Sequence, residues 1–354
     1  MVKGLTRRAP AFWQAGATSF WPAMLAPAGW AYGAVTMGRF FLAAPARLPV
    51  PVICVGGLVA GGSGKTPLVQ ALARRLLARG HRPCVVLRGY GGRLPGPARV
   101  IAGHHSAADV GDEALLHAAI CPAIIARDRT AGAWAALAGG ADVILLDDGF
   151  HSPALARDLS LLVTDSEYGL GNGRMIPAGP LRAPVFWHLR RARALIVMGD
   201  GQAARPLAAR AVKAGLPVLH ARLVPFPAAP ELADRDVIAF AGIGHPEKFF
   251  RALEKTGARI RATRAFADHH PYDEDDARSL LQLAGQYPGA IPVTTEKDMV
   301  RLDDARRGPR RQLRKKAIAL PVRLELAESE GLDRLLDQLV FNSRSRPRPT
   351  SHET

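Results

Sequence analysis

The sequence predicts an α/β fold: a doubly wound, mostly parallel sheet with a second, smaller α/β domain and an N-terminal membrane-associating helical segment. Three observations predict it. Short apolar runs alternate with helix-spaced segments between residues 50 and 198, the pattern of a parallel sheet covered by helices on both faces. A glycine-rich turn ending in Lys-Thr separates the first apolar run from the first helical segment. The alternation restarts after the Pro-rich segment Pro225–Pro230.

The N-terminus comes first. Lys3, Arg7 and Arg8 precede a stretch from Ala9 to Gly38 that has no charged side chain. Phe12, Trp13, Phe20, Trp21, Trp30 and Tyr32 lie within it, and Arg39, Phe40 and Phe41 follow. Trp and Tyr favour the membrane–water boundary, because each has an apolar body and a polar edge. A simple spanning helix needs about 20 predominantly apolar residues. Here Pro22, Pro27, Gly29 and Gly33 interrupt, while Gln14, Thr18 and Ser19 dilute the apolarity. One or two short helices lying in the interface are expected. Packing of these helices on the protein's own core stays open as an alternative. A basic start with small residues at Ala43-Ala44 also fits a cleaved leader, but a nucleotide site belongs where ATP is.

Val50–Val55 is the first strand. The turn Gly56-Gly57-Leu58-Val59-Ala60-Gly61-Gly62-Ser63-Gly64-Lys65-Thr66 follows, and a helix is expected over Thr66–Ala78. Strand, glycine-rich turn and helix in that order make a phosphate-binding loop. Backbone N–H groups turn inward around phosphate oxygens, and the helix N-terminus adds partial positive charge. Lys65 can reach the terminal phosphates, and the Thr66 hydroxyl can ligate Mg²⁺. Gly61, Gly62, Ser63, Gly64, Lys65 and Thr66 are therefore the candidate ATP-binding residues, on a P-loop NTPase-like sheet. Pro67 suits the first turn of the helix. The strict pattern has glycine five residues before Gly64; this chain has Val59.

Further strands are expected at Cys84–Leu87, Ala123–Ala126, Val143–Leu146, Leu159–Val163 and Ala194–Met198, with helices at Gly111–Ala119 and Thr130–Ala138. The second series reads as strands Val237–Ala241, Arg259–Phe266, Ile291–Thr294 and Ala317–Leu324. Its helices are Pro246–Lys255, Glu274–Gln286 and Gly331–Val340. The expected units are a membrane-associating segment over 1–42, a kinase-type nucleotide domain over 43–220, a smaller domain over 221–341 and a disordered tail over 342–354.

Composition narrows the chemistry. Cys54, Cys84 and Cys121 share no metal-ligand spacing and sit in or beside apolar runs, so they read as small buried hydrophobes without a disulfide framework. Basic residues outnumber acidic ones by 47 to 31, giving a net charge of +16. The excess gathers at the N-terminus, in an expected loop carrying Arg306, Arg307, Arg310, Arg311, Arg314, Lys315 and Lys316, and in a tail carrying Arg344, Arg346 and Arg348. Nucleic acid, an anionic membrane surface and plain solvation all fit such clusters.

Carboxylates mark the rest of the candidate site. Asp147 and Asp148 end an apolar strand, where a doubly wound sheet opens its ligand crevice, and can hold the Mg²⁺ that bridges ATP phosphates. Asp112 and Glu113 open a helix. They either cap it or supply an acceptor for a hydroxyl proton, and the residues alone do not choose. Asp268-His269-His270 reads as a surface loop or as a His tuned by a carboxylate. Arg174 and Arg182 lie in the long irregular segment 172–184, where arginines suit phosphate recognition and a Pro-rich connection is the plain alternative.

Taken in order, these motifs resemble the tetraacyldisaccharide 4′-kinase (lipid A 4′-kinase) family over nearly the whole chain. The carrying residues are Gly-Gly-Ser-Gly-Lys-Thr-Pro at 61–67, Arg-Gly-Tyr-Gly-Gly at 88–92 and Gly-Asp-Glu at 111–113. Asp-Asp-Gly-Phe at 147–150, Gly-Asn-Gly-Arg at 171–174 and Pro-Ala-Gly-Pro-Leu-Arg at 177–182 follow. Asp-His-His at 268–270 and Thr-Glu-Lys-Asp at 295–298 complete the set. The resemblance implies ATP- and Mg²⁺-dependent phosphoryl transfer to the 4′-hydroxyl of an acylated glucosamine disaccharide 1-phosphate, at the cytoplasmic face of a Gram-negative inner membrane. By position it implies Asp112 as the catalytic base with His269 as its partner, and Lys65 and Thr66 as the phosphate-loop residues. Asp147 and Asp148 match Mg²⁺-associated acids, and Glu113 a nearby functional acid grouped with them. Arg88, Tyr90, His151, Arg174 and Arg182 are the candidate substrate-binding residues. Two positions depart from the family: His151-Ser152 stands where Gln and then His or Asn are usual, and Ala183 where some members carry an acid.

Two other functions compete. In a P-loop GTPase or metal-insertion factor, Thr295-Glu296-Lys297-Asp298 would stand for the guanine motif Asn-Lys-x-Asp, but it lacks the Asn and the intervening residue. A basic nucleic-acid-binding ATPase would need a reading motif, and none is present. No nucleic-acid partner is expected, and nothing implies an obligate protein partner.

Overall fold

The structure is a computed structural model and describes residues 9–226, 231–303 and 307–344, with side chains as far as Leu339. Lys3, Arg7, Arg8, Arg306, Arg346 and Arg348 lie outside the described residues, as does most of Pro225–Pro230. The expected tail 342–354 is described only to residue 344, as the end of a helix.

Thirteen strands are described: β1 Val52–Gly57, β2 Pro83–Leu87, β3 Ala98–Arg99, β4 Ala123–Ile125, β5 Val143–Asp147, β6 Leu159–Asp165, β7 Ala194–Met198, β8 Val218–Pro225, β9 Asp236–Ala241, β10 Arg259–Ala265, β11 Ile291–Thr295, β12 Ile318–Leu320 and β13 Val322–Leu326. Nine of them form one sheet in the order β13-β8-β7-β6-β1-β5-β2-β4-β3. Its interior is parallel, and only the edge strands β13 and β3 run antiparallel to their neighbours. The second sheet is parallel throughout, in the order β10-β9-β11-β12.

β1 is buried along its whole length because both faces of the sheet are covered. Ile53 and Val55 join one apolar cluster, and Val52 and Cys54 join the other. The helices, in chain order, are α1 Trp21–Met24, α2 Ala26–Leu42, α3 Lys65–Ala78, α4 Ala107–Val110, α5 Asp112–Ala118, α6 Arg129–Ala138, α7 Val185–Arg191, α8 Arg205–Lys213, α9 Pro246–Glu254, α10 Glu274–Gly285, α11 Glu296–Leu302, α12 Gly308–Lys316 and α13 Ser329–Arg344. On the first face α3 buries Leu68, Val69, Leu72 and Leu76, at i, i+1, i+4 and i+8 spacing. On the second face α6, α7 and α8 contribute Ala133, Leu189 and Leu207. β1 lies between β5 and β6, so its C-terminal end opens at the point where the chain winds in both directions.

The expectation of a single strand over Ala317–Leu324 needs correction. β12 ends in the small sheet, Pro321 interrupts, and β13 crosses to pair with β8 at the edge of the large sheet. Proline donates no ladder hydrogen bond, so the chain can leave one sheet there and enter another. α13 follows β13 onto the large sheet and buries Leu332, Leu336 and Leu339 beside α3. Its Asp333 accepts from Arg75 at 2.7 Å and from Arg79 at 2.6 Å. The segment 221–341 thus serves both sheets. The basic stretch expected as a loop is, from residue 308, the helix α12, seated by buried Leu313.

At the N-terminus α2 packs by one face and leaves the other open. Gly29 and Gly33 are its buried residues, one turn apart against Met175; a Cβ on Gly29 would stand 2.9 Å from the Met175 carbonyl oxygen. Pro27 falls in the first turn and does not break the helix. Trp30, Val35, Phe41 and Leu42 are exposed. Among the described residues no helix is long and apolar enough to cross a membrane.

Candidate active site

The phosphate loop takes the expected place at the end of β1. Gly61 and Gly64 have φ of +113° and +83°, values that side-chain-bearing residues rarely adopt, and the helix α3 starts directly afterwards at Lys65. Lys65 Nζ donates to the Gly61 carbonyl at 3.2 Å, folded across the loop. Ser63 Oγ is buried without a hydrogen-bond partner among the described residues. A buried hydroxyl left unpaired in a glycine-rich turn that leads into a helix N-terminus fits a phosphate oxygen.

Val59, the departure from the strict loop pattern, has a structural reason. It bridges Leu181 in antiparallel fashion, with Ala60 N donating to Pro180 O at 2.9 Å and Arg182 N to Leu58 O at 3.0 Å. A β-branched residue suits this extended stitch. The same stitch carries Arg182 to the C-terminal end of β5, where its Nη1 meets both oxygens of Asp148 at 2.9 and 2.8 Å.

β5 pairs with β1 in a register that sets Asp147 opposite Val55. Thr66 Oγ1 donates to Asp147 Oδ2 at 3.3 Å, so the hydroxyl and the carboxylate form one oxygen-donor pair suited to a hard divalent cation. Asp148 has a φ of +50°, and Arg129 donates to its carbonyl at 2.8 Å. Burial alone would raise the Asp148 pKa, but the charges of Lys65 and Arg182 override it and hold the carboxyl well below the usual range.

A second group of residues gathers where α5, beside the large sheet, meets α11 and the loop after β10 of the small sheet. Asp112 begins α5 and is 3 % exposed. Its Oδ2 lies 3.0 Å from His269 Nδ1 and accepts from Arg301 Nε at 3.0 Å and from Arg301 Nη2. Burial would raise its pKa; the His269 hydrogen bond and the Lys297 and Arg301 charges outweigh that and keep it ionised. His269 has a φ of +59°, another backbone value that must be held in place by its surroundings. The Tyr90 ring meets the His269 imidazole edge-on, at 5.5 Å between centroids. With Nδ1 facing a carboxylate, the neutral ring carries its hydrogen there, and Nε2 keeps a lone pair 3.5 Å from Lys297 Nζ.

Glu113 accepts from Lys297 Nζ at 2.8 Å. Burial lowers the Lys297 pKa, but Glu113 and Asp112 outweigh it and hold the ammonium charged. Asp112, Glu113 and His269 form the one metal-sized cluster of three or more such ligands among the described residues, so Glu113 does not converge there with Asp147 and Asp148. With Lys297 and Arg301 on its carboxylates, this cluster is already neutralised by protein cations.

The remaining candidates divide. Arg88 and Tyr90 follow β2 as exposed side chains. His151 is drawn into an aromatic cluster with Phe150, Trp187 and His188. Its Nε2 lies 2.8 Å from His188 Nε2, and burial, His188 and Arg182 push its pKa down to about 2. Arg174 lines a groove of about 630 Å³ between α2 and α7 rather than the phosphate loop.

The sequence reading missed two parts of this site. Arg301 is buried at 6 % exposure, and its Nη1 donates to Gly242 O at 2.6 Å and to Asp298 at 2.8 Å. Asp298 in turn accepts from Tyr272 Oη at 3.0 Å, so the guanidinium that holds Asp112 is itself fixed from the second sheet. Lys297 stood in a recognised motif, without a role. The available signal was its position one turn before Arg301 on a helix that also bears Asp298.

Comparison with known proteins bears on this arrangement. Residues 21–340 match the sequence model of the family described as Tetraacyldisaccharide-1-P 4'-kinase. The chain belongs to this family. A tetraacyldisaccharide 4′-kinase from Rhodospirillum centenum is 52 % identical over 337 residues, covering 94 % of this chain and 97 % of the relative. One from Parvibaculum lavamentivorans is 46 % identical over 343 residues, covering 96 % of this chain and all of the relative. A crystal structure of LpxK from Aquifex aeolicus, described as an apo form in complex with ATP, superposes with a TM-score of 0.68 at 27 % identity, covering 90 % of this chain and 99 % of that one. The tetraacyldisaccharide 4′-kinase family is a family of enzymes of lipid A biosynthesis, so the chain is a kinase, and the GTPase, metal-insertion and nucleic-acid readings are not favoured.

Proposed function

We propose that the chain transfers the γ-phosphate of ATP to the 4′-hydroxyl of a tetraacylated glucosamine disaccharide 1-phosphate. The observation that carries this reading is a pair of half-sites joined by one helix, α5. A phosphate loop with Lys65, Thr66 and Asp147 stands at the end of β1, and buried Asp112, paired with half-buried His269, opens the helix α5 whose His117 reaches Asp147. Phosphoryl transfer asks the protein mainly to position and to neutralise charge. Lys65 and Arg182 supply positive charge on the nucleotide side. Thr66 and Asp147 would hold Mg²⁺, which offsets phosphate charge when bound. Asp148, locked to Arg182, orients that arginine beside the loop.

On the acceptor side the sugar hydroxyl must be aligned and its proton accepted. Asp112 is held by Arg301, so it fixes the imidazole tautomer, and the pair takes the proton as a unit through the His269 lone pair. The exposed ring of Tyr90 is placed to flank the sugar beside His269. The direct test is label transfer from γ-labelled ATP to the purified disaccharide 1-phosphate. We expect transfer with ATP and Mg²⁺, and none when the metal is chelated. Transfer from GTP at an equal rate would contradict the ATP assignment.

The acceptor's acyl chains lie in a bilayer, and the open apolar face of α2 supports peripheral binding at the cytoplasmic face of the inner membrane. The groove beside α2 has Trp30, Met175 and Phe186 on its walls and Arg174, Arg190, Arg210 and Lys213 around it, which suits an anionic amphiphile. Burying an exposed large apolar side chain stabilises by about 1.5–3 kcal/mol. Trp30→Glu with Val35→Glu is therefore expected to weaken flotation with anionic liposomes by about 10²-fold or more, with ATP affinity unchanged. Equal flotation of variant and wild type would place the membrane contact elsewhere, and the basic helix α12 would be tested next.

A further inference from the structure

The same helix that presents Asp112 carries a histidine the proposed mechanism does not use. His117, on α5, is 1 % exposed, and its Nε2 lies 2.8 Å from Asp147 Oδ2. The ring nitrogen facing a carboxylate carries the hydrogen, so His117 donates. Its other nitrogen, Nδ1, is buried without a partner among the described residues. A buried polar atom left unpaired costs about 1–3 kcal/mol. A residue kept only for packing would avoid that cost, since a leucine of similar volume carries no polar atom.

What His117 gains is control of one oxygen. Both hydrogen bonds to Asp147, from His117 and from Thr66, go to Oδ2. Oδ1 makes no hydrogen bond to the described residues, and so stays available beside the Thr66 hydroxyl. We infer that His117 is a positioning residue: it pins Asp147 by Oδ2 and so presents Oδ1 to the cation that travels with the nucleotide. Outer partners of this kind usually alter metal affinity by about 10- to 100-fold when removed. The placement also joins the two half-sites. α5 carries Asp112 at its first position and His117 in its last turn, so one rigid element sets both the proton acceptor and the metal-binding acid.

The inference rests on Asp147 being a metal ligand, and the test separates the two claims. ATP affinity is measured by calorimetry in EDTA and in excess Mg²⁺, on the full-length chain. The ratio of the two affinities reports how much the protein's own groups hold the cation. In His117→Leu the ratio falls about tenfold or more, toward its value in Asp147→Asn, while affinity in EDTA is unchanged. His117→Gln, whose amide N–H reaches the position of Nε2, recovers most of the loss. If His117→Leu does not fold, His117→Asn replaces it, because its shorter amide stops short of Asp147. A wild-type ratio in the folded Leu or Asn variant overturns the inference, and so does a folded Gln variant that recovers nothing. A wild-type ratio in Asp147→Asn overturns the metal assignment and this inference with it.

Discussion

Asp112→Asn lowers kcat by about 10³- to 10⁴-fold, with ATP affinity within a few-fold of wild type. The amide oxygen still accepts from His269 Nδ1 but carries no charge, so it no longer stabilises the imidazolium that forms when Nε2 takes the proton. It also fails to balance Arg301, whose Nε donates to Asp112 at 3.0 Å. Breaking one side of a buried ion pair costs about 3–5 kcal/mol, so the denaturation midpoint falls as well, and rates are normalised to titrated ATP sites. His269→Ala produces a loss of the same order. The double variant is little worse than either single one, because residues acting as a unit fail together. Additive losses in kcat would show that the two residues do not act as a pair.

Lys65→Ala is expected to lower kcat by about 10²-fold or more and to leave the fold intact. Its ammonium makes one hydrogen bond among the described residues, to the Gly61 carbonyl, so little structural support is lost. What is lost is charge at the transferred phosphoryl group. A second readout follows from Asp148, whose carboxyl is held low by Lys65 before any other charge. In the variant its pKa moves up toward the usual range, which titration of its carboxyl carbon by NMR reads directly. Near-normal turnover would remove Lys65 from the mechanism.

The parts of this protein that were legible in the sequence are those whose chemistry is contiguous. The loop at 61–66 announces itself through its spacing, and the strand ending in Asp147-Asp148 through an abrupt change from apolar to acidic. The six strands expected before residue 200 are all present within two residues of their expected bounds. What failed to show depends on distant partners. Arg301 meets Asp112 across 189 residues, and His117 meets Asp147 across 30, with no local pattern to mark either. β13 carries the same alternation whichever sheet it joins, so only its pairing with β8 reveals its place. α12 was hidden by its charge: one buried residue, Leu313, is too little for a periodic signal. His151 stands in a recognisable motif, but its contact with His188 spans 37 residues and has no local mark.

The central claim is that the two half-sites act on one hydroxyl, and the position of the new phosphate tests it most directly. The product of the label-transfer reaction is examined by phosphorus–proton correlation NMR. The account predicts a phosphate monoester on the 4′ oxygen, with the 1-phosphate unchanged. A diphosphate at position 1, or a phosphate on any other hydroxyl, would contradict it.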